Sequence, residues 1–334
     1  MKILFLTSNL EDYLSDGLLI GLRELYGADC VDYPKQDILY DDCPSMILEQ
    51  VRGHGFTLYS GSLPNVDVDR ANIRMKLESG FFDLVIFSDI WRQYGYFIQW
   101  RPLLNPNKTI ILDGQDIGQV YPYAGLWWRR FSQWFAPRAH KNFLYFKREW
   151  TADSQFNFWH RFVPKGLLRY LPNCKNLRKV SFSIPESKIL GEVPNKTKDF
   201  ARHCVDGEVA ERISECVDSY AFKNEGAYYA DLQASRFGVT TKRAGWDCLR
   251  HYEIAANGCI PCFRNLDRKP KTCAPHGLED LVNCISYSNV DDLMVKIQNL
   301  SLDQELALRQ GALNWAKFYS CRNLARRILQ ELML

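Results

Sequence analysis

The sequence predicts an α/β protein built as two parallel-sheet domains facing a cleft. Three observations carry that prediction. The chain has 334 residues, 46% hydrophobic and 24% charged, which are globular proportions in a chain too long for one small core. Short apolar runs alternate with amphipathic stretches in both halves, the layout of strand–helix–strand units. Between the halves, residues 172–194 hold scattered charges with Pro185 and Pro194, and read as an interdomain break.

The elements follow in order. Lys2–Thr7 is a first buried strand. Ser15–Tyr26 is an amphipathic helix with Leu18, Leu19, Leu22 and Leu25 turned inward and Gly27 as its stop. Cys30–Tyr33 reads as a strand, Arg70–Ser79 as a helix and Asp83–Ser88 as a strongly apolar strand. A further helix precedes the Asn105-Pro106 turn. Thr109–Leu112 is then a strand that ends at Asp113-Gly114-Gln115-Asp116, and Asn142–Phe146 is another. This first half is Rossmann-like, yet no GxGxxG follows its first strand, so no dinucleotide cofactor is expected. In the second half, Asp199–Val205 reads as a strand, with helices over Glu208–Val217 and Gly226–Ala234. Ser235–Thr240 is a strand, Val290–Leu300 a helix, and Asp303–Leu334 a long helix without proline. The expected domains are 1–178 and 195–310, joined by a linker over 179–194 and followed by a terminal helix over 311–334.

The most informative stretch is Lys242-Arg243-Ala244-Gly245-Trp246-Asp247-Cys248-Leu249-Arg250-His251-Tyr252-Glu253, with Asn257-Gly258-Cys259-Ile260-Pro261-Cys262-Phe263 after it. It reads as a basic glycine turn opening a helix, then a helix stop and a buried strand. A glycine at a helix start lets backbone N–H groups approach an anion, and the helix dipole adds positive potential there. Lys242 and Arg243 would bring two full charges to the same place. Trp246, Arg250, Glu253 and Asn257 fall at spacings of four, three and four, which put them on one helix face. Arg250 could then reach phosphate and Glu253 accept hydrogen bonds from ribose. The competing reading of Arg250 and Glu253 is an ordinary surface ion pair.

This run resembles the nucleotide-sugar site in the C-terminal domain of GT-B-fold glycosyltransferases, and most of all the exostosin-type pattern. The resemblance implies that Glu253 holds the ribose, while Lys242, Arg243 and the Gly245 turn hold the diphosphate of a nucleotide sugar. It also implies a C-terminal helix that crosses back onto the first domain. Many retaining members carry Glu-x7-Glu; here the position eight before Glu253 is Gly245, which favours an inverting enzyme. The motif covers about thirty residues, and the rest of the match is one of layout.

An inverting transfer needs charge stabilisation on the leaving diphosphate and a base for the acceptor hydroxyl. The basic turn meets the first need without a metal. The base is expected at the carboxyl edge of a first-domain strand, where open α/β sheets meet ligands. Asp12, Asp16, Asp89, Asp113 and Asp116 fit, with Asp116 the first choice because it lies in a glycine-containing loop, and Asp113 next. Helix capping is the competing reading of Asp12 and Asp16. Asp67-Val68-Asp69 has the form of a DxD metal motif, but a helix follows it directly and capping explains it better. No metal is assigned.

Eleven cysteines, an odd number lying in core-like stretches, suggest reduced thiols and a cytoplasmic setting. The opening Met1–Thr7 is too short for a signal peptide, and no apolar run approaches bilayer length. Net charge is +3, but residues 121–178 hold eleven Lys/Arg against two acids, with five of the nine tryptophans. There Trp127, Phe131, Trp134 and Phe135 form one helix face beside Arg129 and Arg130. That face reads as an acceptor cleft, a peripheral contact with the inner face of a membrane, or a core helix with snorkelling arginines; nucleic acid is the least favoured partner. The expected activity is transfer from a UDP-sugar, rather than a GDP-sugar, to a glycan or lipid-linked saccharide. The alternatives are a nucleotide-sugar 2-epimerase or hydrolase, and a non-catalytic carbohydrate-binding protein.

Overall fold

The computed structural model describes residues 1–51, 59–122, 137–151, 154, 164, 175–219 and 221–332. The basic aromatic stretch with Trp127, Arg129, Arg130 and Trp134 lies outside them.

Two parallel sheets organise the chain. The first has six strands: β1 (Ile3–Leu6), β2 (Cys30–Tyr33), β3 (Leu84–Phe87), β4 (Thr109–Asp113), β5 (Leu144–Lys147) and β6 (Leu177–Lys179). Their order is β2-β1-β3-β4-β5-β6, all parallel. The chain thus winds outward from β1 to β2 and returns to β1's other side at β3, which opens a crevice beyond the carboxyl ends of β1 and β3. The second sheet runs in simple succession through β7 (Lys198–Phe200), β8 (Ser235–Thr240), β9 (Ile260–Arg264) and β10 (Ile285–Tyr287).

Local chemistry explains most boundaries. Asp12 caps the Tyr13–Tyr26 helix by accepting from the Leu14 and Ser15 amides, so the capping reading of Asp12 is the correct one for the backbone. Asp89 caps Ile90–Trp100 through the Trp91 amide. Asp69 accepts from the Ala71 amide and pairs with Lys76 at 2.7 Å, a turn role in keeping with the reading of Asp67-Val68-Asp69. Gly258 stops its helix at φ +65°, in the left-handed region that glycine enters freely.

Several expected elements differ; the helix expected over Arg70–Ser79 spans Ile73–Glu78. β7 ends at Phe200 instead of Val205, because the chain turns away to pair His203 with Val217 and to bond the Cys204 amide to the Val217 carbonyl. The helix expected over Glu208–Val217 covers Gly207–Arg212. The long terminal helix is two: Leu302–Phe318, opened by a Ser301–Gln304 capping box, and Cys321–Gln330, capped by Ser320. Ile184 forces the break. Its amide donates to the Tyr319 carbonyl and its carbonyl accepts from the Cys321 amide, a strand-like bridge in place of helix bonds.

The Cys321–Gln330 helix lies on the Tyr13–Tyr26 helix with Cys321, Leu324, Ala325 and Ile328 buried. Gly21 allows the close approach, since a Cβ there would sit 2.5 Å from the Cys321 carbonyl carbon. One apolar cluster joins the two halves, running from Phe5 and Leu18 through Phe182 and Ile184 to Tyr252, Trp315 and Leu324. Tyr252 stacks on Trp315 at 4.7 Å within it. Of the cysteines, Cys259, Cys262 and Cys284 are fully buried as packing groups.

Candidate functional site

The carboxyl ends of both sheets open onto one cavity of about 400 Å³. The first sheet contributes the segments that follow β1, β3 and β4, with Asp12, Arg92 and Asp116 on the wall. The second contributes Arg243, Arg250 and Glu253. Phe222 and Tyr228 form an aromatic side.

The helix that carries the second set begins later than the sequence suggests. It spans Leu249–Ala256 with Cys248 at its N-cap, where no side chain accepts from the first turn. The Gly245 turn does not open the helix, and Trp246 does not share a helix face with Arg250 and Glu253. The reason is that the Trp246 and Asp247 carbonyls, which a helix would bond to amides four residues on, are engaged by side chains, Asp247's by Arg148. The Trp246 carbonyl meets His251 Nε2 at 3.0 Å, and the Trp246 and Asp247 amides donate to Glu149 Oε1 at 2.8 and 3.3 Å. His251 is buried, with its Nδ1 3.0 Å from Thr240 Oγ1 and its ring stacked on Phe263; burial lowers its pKa to about 3 and keeps it neutral.

Lys242 and Arg243 part company at the turn. Arg243 reaches the cavity, while Lys242 sits over the Trp246 ring at 5.3 Å, and Lys242 and Trp246 line a separate depression with Arg268. Glu253 lies on the cavity wall, 3.4 Å from the Tyr229 hydroxyl that donates to it. Burial raises its carboxyl to about 7, with Arg250 pulling the other way. His203 also lines the cavity; its Nδ1 lies 2.9 Å from the Ser219 carbonyl, and burial with the nearby Arg250 and Arg243 lowers its pKa.

The five first-domain carboxylates sort sharply. Asp113 is fully buried, pairs with Lys147 at 2.9 Å and accepts from Trp91 Nε1 at 3.0 Å and the Tyr145 hydroxyl at 2.5 Å. It is a structural anchor under the sheet edge and has no access to the cavity, which corrects its place among candidate bases. Asp16 is buried and bonded to Gln36, and Asp89 is buried against Arg92. Asp12 and Asp116 line the cavity. Asp116 is half-exposed and ion-paired with Arg148. Burial pushes the Asp12 carboxyl up, against its amide bonds and the pull of Arg92 and Arg148.

Sequence reasoning missed Arg148 and Glu149. Arg148 is 1% exposed and bonds to the Gly114 carbonyl at 2.9 Å, the Asp247 carbonyl at 3.1 Å, Glu149 at 3.0 Å and Asp116, with Phe182 under its guanidinium at 4.4 Å. The available signal was a charged triplet, Lys147-Arg148-Glu149, directly after an apolar strand. Among the described residues, no group of three His, Cys, Asp or Glu side chains is placed to hold a metal, and no helix is long and apolar enough to cross a membrane.

No known family matches the chain, and no curated protein matches it in sequence. Solved structures do match in fold. Anabaena HepE in complex with UDP-glucose superposes with a TM-score of 0.54 at 10% identity, covering 100% of this chain and 99% of that one. HepE with UDP gives 0.55 at 12% identity, covering 100% of both chains. A glycosyltransferase from Rickettsia africae gives 0.55 at 10% identity, covering 99% of this chain and 97% of that one. The shared architecture is the GT-B fold.

Proposed function

From this fold, we propose that the chain is a glycosyltransferase that moves a sugar from a UDP-sugar to an acceptor hydroxyl. One observation carries the reading: the uncapped start of the Leu249–Ala256 helix, Arg243, Arg250 and Glu253 converge on a cavity closed on its far side by first-domain carboxylates. Helix N-termini favour anions, and arginine pairs well with phosphate oxygens. The diphosphate lies between Arg243, Arg250 and the helix start. Glu253 takes the ribose hydroxyls, and Phe222 with Tyr228 walls the base. UDP is preferred over GDP because HepE, of the same fold, holds UDP and UDP-glucose.

The reaction is a single displacement with inversion. The acceptor oxygen attacks the anomeric carbon as its bond to the β-phosphate oxygen breaks, and the bonding pair leaves with the diphosphate. The arginines and the helix dipole stabilise that charge. Asp12, on the cavity wall, receives the acceptor proton; burial raises its carboxyl. Asp116, ion-paired with Arg148, orients the acceptor. The acceptor is a glycan or a lipid-linked saccharide.

Thermal melts with UDP, GDP, ADP and their glucose conjugates test the site. A true donor at about a hundred times its Kd adds ~2.7 kcal/mol and raises the melting temperature by several degrees. No shift with any nucleotide overturns the reading. Asp12→Asn then separates transferase from binding protein: UDP binding persists while sugar transfer is lost.

Affinity for UDP-glucose should also rise with pH. Its diphosphate is a diester and does not titrate near neutrality, so the change falls on the site's own carboxyls, Glu253 and Asp247, each raised to about 7. Asp247 is taken up by the Phe182 amide and the Tyr252 hydroxyl, which leaves Glu253 to meet the ribose. Below that value the carboxyl is protonated and accepts ribose hydroxyls poorly; above it the carboxylate accepts fully. Binding is expected to strengthen about tenfold from pH 6 to pH 8, and Glu253→Gln should flatten the profile.

A further inference from the structure

We infer that Glu149 is a positioning residue that clasps the Gly245 turn from the opposite domain and so sets where Arg243 stands. Three observations on separate elements support this. First, the Glu149 carboxylate accepts from two successive amides of the turn, Trp246 and Asp247. Charged acceptors on backbone amides make the stronger class of hydrogen bond. Second, the carboxylate is itself held from behind. Its backbone bridges Cys273, the Arg148 carbonyl accepts from the Ala274 amide at 3.1 Å, and the Arg148 guanidinium bonds both Glu149 and the Asp247 carbonyl. Third, Gly245 fits against the clasp so closely that a Cβ there would lie 2.6 Å from both Asp116 Oδ1 and Glu149 Oε1.

The clasp reaches Arg243 through the backbone, since the Arg243 amide donates to the Gly245 carbonyl at 3.0 Å. A turn pinned at 245–247 therefore fixes the arginine that faces the cavity. The glycine is needed for contact between domains; the amides next to it hold a protein carboxylate, and the anion is left to the helix start and the arginines. The clasp itself is independent of the proposed activity, and its consequence for ligand binding rests on that reading.

Two perturbations test it on the full chain. Glu149→Ala removes the acceptor. Gly245→Ala keeps every charge and drives a methyl into the clasp. In both, amide hydrogen exchange over residues 241–248 is expected to accelerate by roughly ten- to a hundredfold, the range for losing charge-assisted bonds. Glu149→Gln, whose Oε1 can still accept from both amides, should restore most of the protection. A double-mutant cycle reads the positioning: Arg243→Ala should cost at least about fivefold less UDP affinity in the Glu149→Ala background than in the parent. If Glu149→Ala fails to fold, Gly245→Ala supplies the exchange result and the cycle. Unchanged exchange in a folded variant, or an additive cycle, overturns the inference. If the parent binds no UDP, the functional reading falls and exchange alone decides the clasp.

Discussion

Replacing Arg243 and Arg250 together by alanine is expected to weaken UDP binding by roughly two to four orders of magnitude, at ~1.5–3 kcal/mol for each charged hydrogen-bonding partner lost. The two guanidiniums approach the same cavity from the turn and from the helix start, and no lysine of the turn is there to replace them. The matching control is Lys242→Ala. Lys242 lies over Trp246 and lines the neighbouring depression, so its loss should change affinity by less than about threefold. Isothermal titration of the double and the single variant decides between the two sides of the turn. Equal losses in Lys242→Ala and Arg243→Ala would return the diphosphate to the glycine turn.

Gly21→Ala is expected to be the most damaging single methyl in the fold. Its Cβ would sit 2.5 Å from the Cys321 carbonyl carbon, closer still to the oxygen, and 3.0 Å from the Arg322 amide nitrogen. These are backbone atoms and cannot rotate away. The Cys321–Gln330 helix must lift, uncovering Leu324 and Ile328, which are 2% exposed in place. A loss of about 3 kcal/mol is expected in denaturant titrations. Gly95→Ala is the internal comparison: it is helical and exposed with open space around it, so the same change should stabilise by roughly 0.5–1 kcal/mol. Equal melting behaviour in the two variants would contradict the packing described for the terminal helix.

Much of the fold was legible because its signals are local. β2 and β8 fall where their β-branched and aromatic runs lie, and the Asn257-Gly258 stop ends its helix where expected. The errors share a cause. The motif helix starts four residues late because His251, one turn on, and Arg148, distant in sequence, take the Trp246 and Asp247 carbonyls. The terminal helix breaks because Ile184 bonds across it. Propensity describes what a segment does among its own neighbours and carries no word of a partner a hundred residues away.

The site divides in the same manner. That Arg243, Arg250 and Glu253 line one cavity was readable because residues close in the chain stay close in the fold. Asp113 and Asp116 stand three residues apart at the end of one strand. Their difference came from the third dimension: Lys147, Tyr145 and Trp91 surround Asp113, whereas Asp116 stands half in water against Arg148.

By itself the sequence determined two parallel-sheet halves and the nearness of Arg243, Arg250 and Glu253, since periodicity and short spacings are properties of adjacent residues. Tertiary structure alone decided which charges face the cavity, which carboxylate is buried beyond use, and that the glycine of the turn serves a contact between domains. Those outcomes depend on desolvation and on hydrogen bonds between groups far apart in the chain, and such bonds exist only once the two halves have met.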